Sequence, residues 1–265
     1  MDNVNKTLYI PLYGKAYVSK KGIILKDTKA EEIWEKGAFP LNGKSRSKWL
    51  AYYMGMRSAV FDRWLMEQLT STENSTVLHI GCGMDSRICR INSTNRSWYD
   101  VDFPDVIRER KKYYSENAGY HMLAADVRDT DWITNLPAAQ NAIICMEGVS
   151  MYIQPDQLKR LLGRIVDHFS NVRILMDCYT TFAAKMSAFG NPINDVGGAA
   201  VYGLDDPTLL EEVSGLSFVK ELEMTPQYLI DELKGAEKAV FKMVYSGKIS
   251  KNTYRLYKFM GSKHN

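Results

Sequence analysis

Residues 76–102 read TVLHIGCGMDSRICRINSTNRSWYDVD, and the order of features in this stretch decides the fold. An apolar run ends at Ile80, two glycines follow at Gly81 and Gly83, and a second apolar run ends at Asp102. Glycine permits the backbone conformations of a tight strand-to-helix turn, and the N–H groups that open the next helix can bind a ligand. The stretch therefore predicts a strand, a glycine turn, a helix and a neighbouring strand.

The chain beyond this stretch continues to alternate apolar runs with helical patterns. Short apolar runs are typical of strands buried on both faces, and the stripe that begins at Leu158 and the helix start at Pro104 are typical of crossover helices. The predicted parallel strands are Thr76–Ile80, Ser97–Val101, Tyr120–Ala124, Ala142–Met146 and Val172–Cys178. We therefore expect an α/β fold with a doubly wound, mostly parallel sheet.

Four further segments complete the expected architecture. An apolar stripe predicts a helix from Ser47 to Leu69 ahead of the sheet. Two late strands, Ser217–Leu222 and Thr253–Met260, are expected to pair antiparallel at the sheet edge. The stretch Thr180–Asp206 interrupts the rhythm with Gly190, Asn191, Pro192, Gly197, Gly198 and Gly203. A loop of this length usually has a purpose, and we interpret it as a lid.

Composition excludes several classes of protein. The 265 residues carry 34 basic and 31 acidic side chains, a net charge of +3, and 45% are apolar, which is typical of a globular protein and excludes disorder and fibrous folds. No apolar run approaches the ~20 residues of a membrane span, and no secretory signal is evident, so we expect a cytoplasmic protein without a membrane partner. Scattered basic residues do not indicate nucleic acid. Four cysteines without metal-ligand spacing predict free thiols and no metal site.

The glycine turn on its own is a weak indication of a nucleotide site. Ser86 stands where the strict dinucleotide fingerprint has a third glycine, so a turn that merely needs glycine remains an alternative. Asp102 strengthens the interpretation because it lies 21 residues after Gly81, where a carboxylate can accept hydrogen bonds from ribose hydroxyls. Asp102 could equally cap the helix that begins at Pro104. Asp126 and Glu147 follow the third and fourth strands, so three carboxylates are expected at one edge of the sheet.

Arg57 lies on the apolar stripe of the first long helix, together with Tyr53, Val60 and Trp64. A guanidinium in such surroundings requires an anion, which could be a ligand carboxylate or a structural salt bridge. The histidines show neither triad nor metal spacing. The segment Gly148-Val149-Ser150 lacks the GxSxG pattern of a nucleophile elbow, because Tyr152 stands where the second glycine would be, and this disfavours a hydrolase.

Four motifs in order resemble the class I S-adenosylmethionine-dependent methyltransferases of the leucine carboxyl methyltransferase family, including the bacterial branch related to the tetracenomycin polyketide O-methyltransferase. The motifs are LHIGCGMDSRICRI, WYDVDFPDVIRERKKYY, AADVRD and CMEGVSMYI, and the resemblance extends over about Leu8 to Phe169. It implies a Rossmann-like methyltransferase domain and S-adenosylmethionine as the cofactor. A methyl transfer of this kind requires no metal.

The resemblance also implies a cofactor role for individual residues. Gly81, Cys82 and Gly83 would pass beneath the amino-acid portion, and Asp102 with its neighbour Phe103 would meet the ribose. Asp126 and Val127 would contact the adenine. Glu147 would meet the ammonium group and Arg57 the carboxylate, with Lys15 as an assisting cation. No residue is identified as a catalytic base.

Tyr152 and Tyr179 follow the fourth and fifth strands and are the predicted acceptor contacts, although ordinary packing would also explain them. We expect one domain, with a helical cap (1–70), a cofactor-binding core (71–179), a lid-like insertion (180–212) and a sheet edge (213–265). The favoured function is transfer of a methyl group to a hydroxyl or carboxyl of a small molecule, with a polyketide-like acceptor as one option. A protein C-terminal carboxyl methyltransferase, a non-catalytic binding module and, less favoured, an NAD-dependent oxidoreductase are the alternatives.

Overall fold

The computed structural model of the chain describes residues 7–39, 41, 43–93, 96–187 and 200–263. Within these described residues, three α-helices precede the sheet: α1 (Tyr9–Lys20), α2 (Thr28–Lys36) and α3 (Lys48–Ser71). The helix predicted from Ser47 is α3, and Ser47 is its N-cap, because the side chain of Ser47 accepts the N–H of Trp49 at 3.3 Å.

Seven strands of the described residues form one sheet in the order β3-β2-β1-β4-β5-β7-β6. Their bounds are β1 Ser75–Ile80, β2 Trp98–Asp102, β3 Tyr120–Ala124, β4 Asn141–Met146, β5 Asn171–Tyr179, β6 Leu216–Leu222 and β7 Tyr254–Ser262. Strands β1 to β5 pair in parallel, whereas β7 runs antiparallel to both β5 and β6. The predicted mostly parallel sheet with an antiparallel edge is confirmed.

The remaining helices connect or flank these strands. They are α4 (Arg87–Arg90), α5 (Pro104–Arg110), α6 (Pro155–His168), α7 (Thr181–Ser187), α8 (Gln227–Ile230), α9 (Gly235–Tyr245) and α10 (Gly247–Lys251). Short 3₁₀ turns lie at Gly43–Arg46, Asp131–Asn135, Ser150–Tyr152 and Pro207–Glu212. Pro104 occupies the first turn of α5, as its fixed φ and missing N–H favour.

Both faces of the sheet are buried, because successive residues of a strand pack into the cores on opposite faces. In β4, Ile143 packs in the same core as Phe61 of α3, whereas Ile144 packs with Leu161 and Leu162 of α6. This alternation follows from the two-residue period of a strand, and it explains why the central strands read as unbroken apolar runs. The fold therefore places α3 and α6 on opposite faces, with the carboxyl ends of β1 to β5 at a common edge.

The predicted insertion begins with α7, and the chain is described again from residue 200. There the N–H of Leu204 bonds to the carbonyl of Tyr179 at 2.7 Å, so the returning segment lies beside the end of β5. Gly190, Asn191, Pro192, Gly197 and Gly198 lie outside the described residues. In the part of the chain that the structure covers, every helix is too short or too polar to traverse a bilayer.

Candidate active site at the carboxyl edge of the sheet

The turn after β1 depends on two glycines in left-handed backbone conformations. Gly81 has φ +68° and Gly83 has φ +51°. A Cβ on Gly81 would lie 2.7 Å from side-chain atoms of Val149, so a larger residue does not fit. Cys82, between the two glycines, is buried, and burial raises the pKa of its thiol well above its ordinary value. Cys82 is therefore a neutral part of the turn and not a nucleophile.

Asp102 closes β2 beside this turn. Its Oδ2 accepts the N–H of Gly83 at 2.7 Å and its Oδ1 accepts the N–H of Phe103 at 2.8 Å. Burial raises the pKa of this carboxyl, and the two backbone N–H groups oppose that shift. A carboxylate offers about four acceptor positions, so about two remain for hydroxyl groups of a ligand. Asp102 therefore has the geometry of a ribose acceptor while it also holds the turn.

Asp126, the carboxylate predicted to contact the adenine, has different surroundings from Asp102. Asp126 is half-buried and pairs with the guanidinium of Arg128 at 2.6 Å, and hydrogen bonds from Arg128 lower its pKa. Val127 and Arg128 line the cavity described below, whereas Asp126 does not. Of the two residues predicted to contact the adenine, Val127 therefore lines the cavity and Asp126 does not, and the contact itself stays a prediction.

Arg57 and Glu147 meet at the end of β4. Arg57 Nε donates to Glu147 Oε1 at 3.0 Å, and both side chains are almost fully buried. Burial would raise the pKa of Glu147, but the guanidinium groups of Arg57 and Arg87 lower it to about 2. The salt bridge that the sequence left open for Arg57 is thus present, and Arg57 also lines the cavity.

Lys15 of α1 is another buried cation of this region. Its Nζ lies 3.2 Å from Asp85 Oδ2, and both side chains are nearly inaccessible. Lys15 also lines the cavity, so helix α1 contributes a cationic side chain beside the glycine turn.

The buried charges at this edge that were not predicted include Asp85, the partner of Lys15, as well as Arg87, Arg110 and Asp177. Arg87 donates to Asp62 and Glu147, Arg110 binds the carbonyl of Gly83 at 3.1 Å, and Asp177 binds Arg57. For Asp177 the signal in the sequence was a charged residue within the apolar run ILMDCY, and for Arg87 it was a basic residue just after the glycine turn, whereas Arg110 carried neither signal. Such residues rarely lie in a core without a partner.

One cavity of about 1130 Å³ joins these groups to an aromatic region. Of the predicted site residues, those that line it are Lys15, Arg57, Gly81, Cys82, Gly83, Asp102, Phe103, Val127, Glu147, Tyr152 and Tyr179. The structure therefore brings together every predicted cofactor or acceptor residue except Asp126.

The aromatic wall of the cavity consists of Tyr53, Tyr152, Tyr179, Phe182 and Tyr254. The hydroxyl of Tyr254 donates to that of Tyr179 at 3.1 Å, and their rings meet edge-on with centroids 4.6 Å apart. Burial raises the pKa of Tyr53 to about 12 and also raises the pKa of Tyr152 and Tyr254. These phenols are therefore protonated at neutral pH and offer hydrogen bonds, not base catalysis.

The lining from α7, α10 and β7 carries no Asp, Glu or His among the residues that the structure describes. His79 also lines the cavity, but its two ring nitrogens face Asp100 at 3.2 Å and Arg87 at 3.0 Å inside the ion-pair region. The described site thus combines fixed charges at one end with neutral hydroxyl groups and aromatic faces at the other.

Comparisons with known proteins show the family to which this chain is similar. The family model of leucine carboxyl methyltransferase matches residues 7–166. The tetracenomycin polyketide synthesis O-methyltransferase TcmP of Streptomyces glaucescens is 26% identical over 91% of this chain and 90% of its own length. The S-adenosyl-L-methionine-dependent methyltransferase dpfgK of Gibberella zeae is 30% identical over 58% of this chain and 57% of its own length.

Two solved structures share the fold. Magnesium protoporphyrin IX methyltransferase from Synechocystis, crystallised with S-adenosylhomocysteine, covers 94% of this chain and 98% of its own, with a TM-score of 0.51 and 11% identity. An S-adenosylmethionine-dependent methyltransferase from Clostridium acetobutylicum covers 77% and 91%, with a TM-score of 0.50 and 10% identity. The likeness establishes the class I methyltransferase architecture of the sheet.

Proposed function

This chain belongs to the leucine carboxyl methyltransferase family, and we propose that it methylates an oxygen of a small-molecule acceptor held against the aromatic wall. It is an S-adenosylmethionine-dependent methyltransferase. The relative from Streptomyces acts in tetracenomycin polyketide synthesis, which supports a polyketide-like acceptor. Whether the oxygen belongs to a hydroxyl or to a carboxyl group is part of the proposal to be tested.

The observation that carries this proposal is the continuity of the cavity between the glycine turn and the aromatic wall. S-Adenosylmethionine supplies an electrophilic methyl carbon when it is bound. In-line displacement requires the acceptor, methyl carbon and sulfur to be aligned with water excluded, so positioning is the main task of the protein. Asp102 would bind the ribose, whereas Arg57, Lys15 and Glu147 would bind the amino-acid portion.

The aromatic wall would orient the acceptor. Tyr152 and Tyr179 can donate hydrogen bonds to an acceptor oxygen, and the ring of Tyr254, whose O–H is donated to Tyr179, can pack against a planar acceptor together with theirs. A carboxylate is already nucleophilic at neutral pH, whereas a phenol would have to lose its proton. An acceptor with an ionised oxygen therefore suits a wall of protonated phenols.

We further propose a single domain in which residues 1–70 and 180–212 border the acceptor side of the core 71–179, with 213–265 forming the sheet edge. Leu8, the residue directly before α1, and Phe182 of α7 both line the cavity. Their positions support the proposal that these two segments border the acceptor. A cytoplasmic location and the absence of nucleic-acid partners stay predictions of the sequence.

The test is calorimetric titration of the protein with S-adenosylmethionine, S-adenosylhomocysteine and NAD, followed by an acceptor screen. We expect saturable binding of the first two ligands only. Asp102→Ala should weaken both by about 1.5–3 kcal/mol, because it removes hydrogen bonds to a charged group. Methylation of a peptide C-terminus, and of no small molecule, would contradict the proposed small-molecule acceptor. Binding of NAD alone would contradict the proposed S-adenosylmethionine site.

A further inference from the structure

Asp177 is a fully buried carboxylate of β5 that contacts a cavity-lining residue without lining the cavity itself. Its Oδ2 accepts Arg57 Nη1 at 2.9 Å, and its Oδ1 accepts the N–H of Gly148 at 2.6 Å. The two oxygens therefore hold a side chain from α3 and the backbone of the loop after β4. Both contacts are charge-assisted, which makes them stronger than ordinary hydrogen bonds.

The guanidinium of Arg57 is held from two sides. Nε binds Glu147 and Nη1 binds Asp177, while Nη2 has no hydrogen-bond partner among the described residues. Arginine has several rotatable bonds, and a single contact would leave its planar head free to rotate. Two carboxylates on different strands fix that plane, so that the remaining N–H groups keep one direction beside the cavity.

Gly148 extends this arrangement toward the glycine turn. It has φ +73°, and a Cβ there would lie 3.3 Å from both Nη atoms of Arg57, so the loop backbone lies directly against the guanidinium. The next residue, Val149, packs against Gly81. Asp177 thus connects Arg57 to the loop that supports the turn.

We propose that Asp177 is a positioning residue. It holds the guanidinium of Arg57 in the orientation that binds the carboxylate of the cofactor's amino-acid portion. The inference rests on the proposed function, because the orientation of Arg57 affects cofactor affinity only if Arg57 contacts the cofactor. A purely structural ion pair would stabilise the fold and affect all ligands alike. A positioning role makes the effect specific to ligands that carry the carboxylate.

The first test compares wild type and Asp177→Asn for binding of S-adenosylmethionine, S-adenosylhomocysteine and 5′-methylthioadenosine, which lacks the amino-acid portion. The amide oxygen of Asn can still accept the Gly148 N–H, but it leaves an uncharged group facing Arg57. We expect the affinities of the first two ligands to fall by about tenfold or more. The affinity of 5′-methylthioadenosine should be unchanged, and it reports that the variant is folded.

A matched control is Asp100→Asn, the same substitution in another fully buried carboxylate. Asp100 binds Arg110 and the hydroxyl of Tyr120 and does not contact Arg57. We expect this variant to unfold more easily, with an unchanged ratio of S-adenosylmethionine to 5′-methylthioadenosine affinity. That ratio distinguishes a positioning effect from a general loss of stability.

A second test places both substitutions together. If Asp177 acts through Arg57, then Asp177→Asn causes no further loss of S-adenosylmethionine affinity in an Arg57→Met background. An additional loss there, or equal losses for all three ligands in the single variant, would overturn the inference and leave the proposed function intact. Failure of the wild type to bind S-adenosylmethionine would instead overturn the proposed function and this inference with it.

Discussion

The two ends of the cavity are held in place by different interactions. At the end with the buried charges, which we propose for the cofactor and call the cofactor end, Arg57, Arg87 and Glu147 form ion pairs whose members are almost completely buried. At the end with the aromatic wall, which we propose for the acceptor and call the acceptor end, Tyr179 and Tyr254 meet through ring edges and one hydroxyl contact. Ion pairs and charge-assisted hydrogen bonds fix direction, whereas aromatic faces accept a range of shapes. The contrast suits an invariant cofactor at one end and an exchangeable acceptor at the other.

The largest expected effect concerns Arg87, which joins Asp62, His79 and Glu147 in the ion-pair region. Arg87→Met would remove one cation from each of two buried carboxylates, so that Asp62 keeps only Arg90 and Glu147 keeps only Arg57 as a cationic partner. The loss of these buried pairs should cost about 3 kcal/mol of unfolding free energy, the lower end of the range for a broken buried ion pair. Denaturant unfolding measures this loss.

The matched control is Arg63→Met, which breaks an exposed pair with Glu67 and should cost no more than about 1 kcal/mol. Similar losses in Arg87→Met and Arg63→Met would show that burial gives the cofactor end no special rigidity.

Acid should weaken the cofactor end next. The pKa of Glu147 in the fold is about 2, below its ordinary value of 4.5, so its stabilising contribution is present above pH 4.5 and is lost as the pH falls toward 2. Between about pH 5 and about pH 3, we expect the wild type to lose about 1–2 kcal/mol more unfolding free energy than Glu147→Gln does. Unfolding curves with the same pH dependence for both proteins would argue against the charge of Glu147 as a source of stability.

The smallest effect is expected at the acceptor end. Tyr254→Phe removes one hydroxyl contact to Tyr179 and keeps the ring, so the unfolding free energy should fall by about 0.5–1.5 kcal/mol. The affinity for S-adenosylmethionine should not change, which calorimetry can verify. Tyr228→Phe, at an exposed position, serves as the control. A cofactor affinity that drops as far as in Asp102→Ala would show that the two ends are not independent.

Much of the fold could be predicted because its signals are local. Apolar runs predicted every strand to within two residues, and the turn at Gly81 with Asp102 after the next strand indicated the carboxyl edge. The pairing of Asp126 with Arg128 was not predicted, but it is also local, since a single residue lies between them. Such features depend on neighbours that the sequence shows directly.

The partners of buried charges could not be predicted, because they come from distant parts of the chain. Arg57 and Asp177 are 120 residues apart, and only the packing of α3 against β5 brings them together. The sequence left a salt bridge and a ligand role open for Arg57. The salt bridge is present, and the ligand role is the part that the titrations above test. Tyr254 was missed for a similar reason. It lies opposite Tyr179 at the end of β5 because β7 pairs antiparallel with β5.

The position of β7 has a consequence for how the protein is made. This strand, Tyr254–Ser262, lies between β5 and β6. The pairing of β5 with β7 therefore cannot form until almost the whole described chain has left the ribosome. Until then the nascent protein exposes one edge of the apolar strand β5, and open edges of this kind promote aggregation. Because β7 also brings Tyr254 to the aromatic wall, the step that removes this hazard is the same step that completes the acceptor end.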